Sequence, residues 1–263
     1  MSDDARRHRL RATFEEVPEL YDRARPGYPP EVFDDLIGLA GLAPGARLLE
    51  IGCGTGKATV PLAERGFEVV CVELGEGLAR VARSKLAAYP AVEVVNARFE
   101  MWQPTGAFDA VVSFTAFHWI DPDLRFEKSA DVLREGGALA VANSRHVLPD
   151  PRDAFWIEVQ DDYDAVVPGD NGPPPPHPDA VSDLGDDIEG SGRFRKVGAR
   201  RYLWQVPYTA DEYIAVLDTY SGHRALDDDQ REELYARIRT RIERQGRTVT
   251  KTYLTTLNVA ERV

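Results

Sequence analysis

The first half of the chain alternates short apolar runs with amphipathic stretches. Residues 46–51 (ARLLEI), 67–73 (FEVVCVE), Val92–Asn96, Ala110–Phe114 and Ala138–Ala142 are strand-length runs bounded by turn residues, and they predict buried β-strands. Between them, Ala58–Arg65, Glu76–Ala88 and Pro122–Leu133 read as helices. The last of these is predicted to start at Asp121-Pro122, a capping residue ahead of a proline at the first helical position. Ahead of the first strand, Glu31–Gly41 carries Val32, Phe33, Leu36, Ile37 and Ala40 on one face, which predicts an amphipathic helix. Buried strands alternating with helices predict a parallel sheet covered on both faces.

The second half follows a different pattern. Residues 152–166 read as a helix, and 166–180 (VVPGDNGPPPPHPDA) is too rich in proline and glycine to hold a helix or a central strand. Residues 197–206 alternate like a half-exposed strand, Asp211–Tyr220 and Asp228–Arg244 read as helices, and 249–259 (VTKTYLTTLNV) has the Thr, Val and Tyr content of a strand. Leu234, Ile238 and Ile242 lie four apart, with acids in the first turn of their helix and arginines in its last, which matches the helix dipole. The layout is an α/β core followed by a helical insertion between two late strands, with no internal repeat.

Composition narrows the partners. The chain has 263 residues, with 32 Lys plus Arg against 44 Asp plus Glu and a formal charge of −12, so a nucleic-acid backbone is an unexpected ligand. No apolar stretch approaches the ~20 residues of a membrane span, and the charged opening (MSDDARRHRLRATFEE) lacks the apolar stretch of a secretory signal. Two cysteines, Cys53 and Cys71, make no disulfide framework. These features lead us to expect a cytoplasmic protein that binds neither membrane nor nucleic acid. No oligomeric state follows from the sequence.

The most informative segment is Leu48-Leu49-Glu50-Ile51-Gly52-Cys53-Gly54-Thr55-Gly56-Lys57, a glycine loop between a strand and a helix, where backbone can approach a ligand closely. A phosphate-cradling loop needs G-x-x-x-x-G-K-[ST], but Ile51 stands at its first glycine and Ala58 at its hydroxyl. A dinucleotide loop needs G-x-G-x-x-G; here Lys57 holds the sixth position, which weakens that reading without excluding it. Glu73 ends the second strand beside the loop, where a carboxylate can accept both hydroxyls of a ribose.

The pattern E-x-G-x-G-x-G over Glu50–Gly56 resembles motif I of class I S-adenosylmethionine-dependent methyltransferases. Further segments match in order. Asn96-Ala97-Arg98-Phe99-Glu100 resembles the segment flanking adenine, with Arg98 where the family often has an acid. Phe108–Phe114 resembles motif IV, and Leu133-Arg134-Glu135-Gly136-Gly137 resembles the family's Leu-(Lys/Arg)-Pro-Gly-Gly turn with Glu135 in place of proline. Tyr21-Asp22-Arg23-Ala24-Arg25-Pro26-Gly27-Tyr28-Pro29 resembles the N-terminal segment of a bacterial subgroup that also carries an F-H-W-I-D motif, matched at Phe117–Asp121. The resemblance spans about residues 14–145, and 190–263 more loosely.

The resemblance implies a Rossmann-like α/β fold: a mostly parallel seven-stranded sheet flanked by helices, with a helical insertion between its last two strands. It divides the chain into an N-terminal cofactor-covering segment and first helix (1–45), an S-adenosylmethionine-binding core (46–148), and a C-terminal part that completes the sheet and carries a helical substrate cap (149–263). It implies cofactor contacts from Tyr21, Arg25, Glu50, Gly52, Cys53, Gly54, Gly56, Glu73, Leu74, Arg98, Phe99, Ser113 and Phe114. The implied activity is methyl transfer to the O, N or C nucleophile of a small molecule. Two alternatives remain: a catalytically silent S-adenosylmethionine-binding scaffold and an NAD-dependent oxidoreductase.

For chemistry, the segment after motif IV offers His118, either as a general base or polar anchor or as a histidine that only holds the next helix start. Tyr28, Phe117, Trp119, Tyr220 and His223 are the candidate acceptor contacts, with Trp204 and Tyr213 in the same aromatic set, which suits a small apolar or aromatic acceptor. The (Asn/Asp)-Pro-Pro-Tyr signature of DNA amine methylation is absent at 113–116. No metal is expected, because Asp121 and Asp123 are explained by capping and no Cys/His set has ligand spacing. Cys53 and Cys71 are expected to be packing residues, and 168–178 a lid or a plain connector.

Overall fold

The computed structural model describes residues 17–169 and 174–263. In these residues, seven strands form one sheet in the order β3-β2-β1-β4-β5-β7-β6: β1 Arg47–Ile51, β2 Glu68–Glu73, β3 Val92–Asn96, β4 Phe108–Phe114, β5 Leu133–His146, β6 Phe194–Thr209 and β7 Thr248–Arg262. Pairs β1–β2, β2–β3, β1–β4 and β4–β5 are parallel, with registers such as Leu49↔Val70 and Val111↔Leu139. Residue numbers fall along β7 as they rise along β5 (Val147 amide to Thr252 carbonyl, Thr255 to Ser144) and along β6 (Arg195 to Glu261, Gln205 to Thr252), so β7 runs antiparallel to both. The fold is the expected Rossmann-like α/β sheet.

The chain divides into two compact units, and the long strands β5, β6 and β7 contribute residues to both. One comprises residues 27–144, 182–202 and 255–263. Its strands are apolar on both faces, which sorts them by alternation. Leu48, Val69, Cys71, Ala110 and Val112 pack on α2 (Pro30–Ala40), α3 (Thr59–Glu64) and α4 (Glu76–Leu86). Leu49, Val70, Val111 and Leu139 pack on α5 (Arg125–Val132) and α7 (Gly185–Gly190). Helix α2 begins at a proline and ends on Gly41 in the left-handed conformation, as its sequence predicts.

The other unit comprises residues 17–26, the described part of 145–181, and 203–254. It holds α1 (Pro18–Ala24), α6 (Ala154–Val166), α8 (Ala210–Leu217), α9 (Ser221–Arg224) and α10 (Asp228–Arg244). Leu234, Ile238 and Ile242 of α10 are fully buried against Trp156 and Val159 of α6 and Val216 of α8, so the four-residue spacing marks the core face. Asp153 caps α6 by accepting the Phe155 amide, and Thr209 with Glu212 forms a capping box on α8.

Two expectations are corrected. The helix expected from Pro122 begins at Arg125: the Asp121 carboxylate accepts the Asp123 amide, and its carbonyl accepts those of Leu124 and Arg125, so the capping signal builds a turn first. Helices α1, α7 and α9 have no counterpart in the sequence pattern. Of 168–178, expected as a lid or a plain connector, residues 170–173 lie outside the described residues, as do residues 1–16.

Candidate functional site

The order of the sheet reverses between β1 and β4, and at such a point the carboxyl ends of parallel strands diverge to leave room for a ligand. Three segments of the first unit meet there. The glycine loop leaves β1 through Gly52, whose amide donates to Val72 O at 2.8 Å and whose φ is +70°. A Cβ on Gly52 would lie 2.5 Å from the Ala116 Cβ, so the loop and the segment after β4 touch where only glycine fits. At Gly56, φ is +81° and a Cβ would press on Leu86 of α4 at 3.1 Å; this third glycine lets helix and loop close together.

Glu73, at the end of β2, is 7% exposed, and its carboxylate accepts the amides of Gly54 and Gly75, each at 2.8 Å. This pairing fixes the orientation of the carboxylate at the carboxyl ends of β1 and β2. Glu50, also an expected cofactor contact, is 1% exposed and accepts the Thr59 hydroxyl at 2.7 Å. Burial pushes its carboxyl up to about 7; the Thr59 bond opposes this, and the nearby Glu73 charge adds to it. Glu50 therefore braces the loop against α3 from below. Cys53 and Cys71 are both free and buried, and the Cys53 thiol is raised by its hydrogen bond with Cys71 and by burial.

Ser113 is buried and donates to Ile51 O at 3.0 Å, tying β4 to β1 at their carboxyl ends. Phe114 packs edge-on to Tyr28 at 5.0 Å and stacks on Phe33 at 5.3 Å. Phe99 is buried, Arg98 reaches Glu100 at 3.8 Å, and Leu74 is exposed, its carbonyl accepting the Asn96 amide at 2.9 Å. The next residue after β4, Thr115, has φ +56°, which is strained for a β-branched residue. Its hydroxyl is fixed by the Tyr28 phenol at 3.0 Å and the Ser144 amide at 3.1 Å. That strained corner sends Phe117–Trp119 into a short 3₁₀ turn. His118 is exposed on it, with Trp119 4.9 Å away between ring centroids. Phe117 is 2% exposed and packs on Phe126, so it holds the turn down and has no face for an acceptor.

Tyr21, Arg25, Tyr220 and His223 belong to the second unit. Arg25 donates to the Thr219 hydroxyl at 2.7 Å and to its carbonyl at 3.1 Å, and the guanidinium lies 4.0 Å from the Tyr220 ring centroid and 5.3 Å from that of Tyr21. His223 shares a hydrogen bond with Tyr163 at 3.1 Å, and burial, aided by the Lys251 charge, lowers its pKa to about 4. Lys251 on β7 was missed by the sequence reading; it is 3% exposed and donates to the Tyr220 phenol at 2.9 Å. A lysine inside a Thr-, Val- and Tyr-rich strand was the available signal.

Residues 48–137 match the family model of a methyltransferase domain. That stretch contains the glycine loop, Glu73 and the 114–119 segment. The chain is 36% identical over 135 residues, 51% of its length, to an uncharacterized methyltransferase of Mycobacterium tuberculosis, 53% of which is covered. It is 30% identical over 141 residues, 50% of its length, to an uncharacterized methyltransferase of a Geobacillus species, 65% of which is covered. The chain thus spans about half the length of the mycobacterial relative. A solved structure of a candidate type II methyltransferase from Anaeromyxobacter dehalogenans superposes with a TM-score of 0.59 at 23% identity, covering 90% of this chain and 97% of that one, a likeness of fold. Among the described residues, no helix is long and apolar enough to cross a membrane, and no three His, Cys, Asp or Glu side chains gather to hold a metal.

Proposed function

We propose that the chain is an S-adenosylmethionine-dependent methyltransferase that acts on the O, N or C nucleophile of a small molecule. The observation that carries this reading is the Glu73 carboxylate anchored on the Gly54 amide at the carboxyl ends of β1 and β2, inside the matched methyltransferase domain. The residues suit the cofactor: the loop lies where a Cβ on Gly52 would overlap Ala116, and the Glu73 carboxylate is held beside it by the Gly54 and Gly75 amides. Backbone of Gly52, Cys53 and Gly54 would hold the amino-acid portion, Glu73 the ribose hydroxyls, and Leu74, Arg98 and Phe99 the adenine, with Ser113 and Phe114 closing the floor. When bound, the cofactor supplies a methyl group activated by its sulfonium charge.

The chain's own residues then align the acceptor, exclude water and take up a proton where the acceptor is a hydroxyl or an acidic carbon. We assign proton removal to His118, which the 3₁₀ turn presents to solvent. The net charge of −12 supports a small molecule over a nucleic acid as acceptor, and a cytoplasmic setting belongs to the same reading. The test is to incubate the chain with methyl-labelled S-adenosylmethionine and pooled small metabolites. Label should pass to at least one acceptor as S-adenosylhomocysteine forms; tight cofactor binding without transfer to any acceptor would indicate a silent scaffold instead.

A further inference from the structure

In a chain with 44 acidic side chains for 32 Lys and Arg, a basic group should find a carboxylate partner easily. In the second unit several do: Arg241 pairs with Asp162 and Glu158, Arg224 and Arg231 with Asp218, and Arg237 with Glu233. Lys251 and Arg25 are among those that do not. Neither forms an ion pair with a carboxylate among the described residues, yet Lys251 is the most deeply buried cation of this unit. Its Nζ donates one hydrogen bond, to Tyr220, and lies 4.9, 5.5 and 5.6 Å from the ring centroids of Tyr220, Tyr213 and Tyr253. Arg25 covers the same Tyr220 ring at 4.0 Å.

A buried cation held, among the described residues, by a phenol and aromatic rings leaves much of its desolvation uncompensated, and an incoming anion would restore it. Among the described residues, Lys251 uses one N–H of three and Arg25 two of five, so donors remain for an anion. Two buried imidazole nitrogens, His223 Nδ1 and His146 Nε2, have no hydrogen-bond partner among the described residues, and both rings feel the Lys251 charge. Tyr220 and Arg25 are half-buried, whereas Lys251 is almost fully buried. Burial would raise the Tyr220 phenol, but Lys251 and Arg25 outweigh it and bring the pKa below its ordinary value, as two cations on one hydroxyl should.

The geometry points to an anion-recognition site centred on Lys251 and Tyr220, with Arg25 beside it, whose ligand is the carboxylate of a small organic acid. A planar carboxylate suits two cationic heads and a phenol. Trp204 stacked on Tyr253 at 4.9 Å offers apolar surface to an organic body.

The test is calorimetric, on the full chain saturated with S-adenosylhomocysteine, using a panel of aryl and alkyl carboxylates, the neutral amide of each, and inorganic phosphate. At least one carboxylate should bind tenfold or more tightly than its amide. Lys251→Met should abolish that difference without changing the affinity for S-adenosylhomocysteine, Lys251→Arg should retain part of it, and Lys251→Met should keep or raise the ligand-free melting temperature. Four results would overturn the proposal: no carboxylate preference, a preference for phosphate, a Lys251→Met chain that melts lower, or a loss of S-adenosylhomocysteine affinity in Lys251→Met, which would make the cofactor's own carboxylate the ligand. Failure to bind S-adenosylhomocysteine at all would sink the methyltransferase reading while leaving the carboxylate preference measurable on the ligand-free chain.

Discussion

The Glu73 carboxylate accepts the Gly54 amide at 2.8 Å, joining the end of β2 to the glycine loop that leaves β1. This bond sets the loop before any ligand arrives, so Glu73 is both a structural tie and the candidate ribose acceptor. Replacing it with alanine should release the Gly54 amide, seen as faster hydrogen exchange there, and weaken S-adenosylhomocysteine by a hundredfold or more. Amide exchange unchanged from the wild type would show that the tie does not hold the loop.

Gly52→Ala tests the contact between loop and turn. The added methyl meets the Ala116 Cβ in a left-handed backbone, and the two penalties together should cost about 2–4 kcal/mol of stability in urea unfolding. Adding Ala116→Gly should recover the overlap part and leave only about 1 kcal/mol from the backbone. No recovery in the double variant would place the clash elsewhere.

Glu50 predicts a pH dependence. Its carboxyl is raised to about 7 in the folded chain against 4.5 as the ordinary value, so the folded state holds a proton that the unfolded state releases. Its contribution is fully present below about pH 4.5 and is lost as pH rises through about 7. Glu50→Gln removes that loss, so its stability relative to wild type should rise by ~3 kcal/mol between pH 4 and pH 8. A difference that stays flat with pH would show that Glu50 is ionised throughout.

His118→Ala should lower kcat about a hundredfold while leaving S-adenosylhomocysteine affinity intact, and the acidic limb of the wild-type pH–rate profile should disappear. Near-normal turnover would return His118 to a structural part in the turn.

Asp162 takes the guanidinium of Arg241 through two hydrogen bonds, at 2.6 and 3.0 Å, and is almost fully buried between α6 and α10. Asp162→Ala leaves Arg241 with Glu158 as its remaining ion-pair partner and should cost about 1–3 kcal/mol, measured by urea unfolding. A change below 1 kcal/mol would show that Glu158 alone satisfies Arg241.

Much of this was legible because local pattern and tertiary fold agree. Val92–Asn96 and Asp228–Arg244 form the elements their sequences predict, residue for residue, and the glycine spacing marks the loop. The short helices α7 and α9 were not legible, since one turn or so of helix is set by packing and not by its own periodicity. Asp121-Pro122 carried a true capping signal that a turn used first. Phe117 reads as an acceptor contact because it belongs to the 114–119 segment after β4, whereas in the structure its ring packs on Phe126 across the turn. Lys251 was hidden for a related reason: the rings that surround it come from residues 213, 220 and 253, which only folding brings together.

The central claim is that the loop and Glu73 hold S-adenosylmethionine, and calorimetric titration of the chain with S-adenosylhomocysteine and, separately, NAD tests it most directly. The account predicts a micromolar or tighter constant for S-adenosylhomocysteine, weakened at least tenfold by Glu73→Gln, and no measurable heat with NAD. Binding of NAD in preference, or of neither ligand, would contradict it.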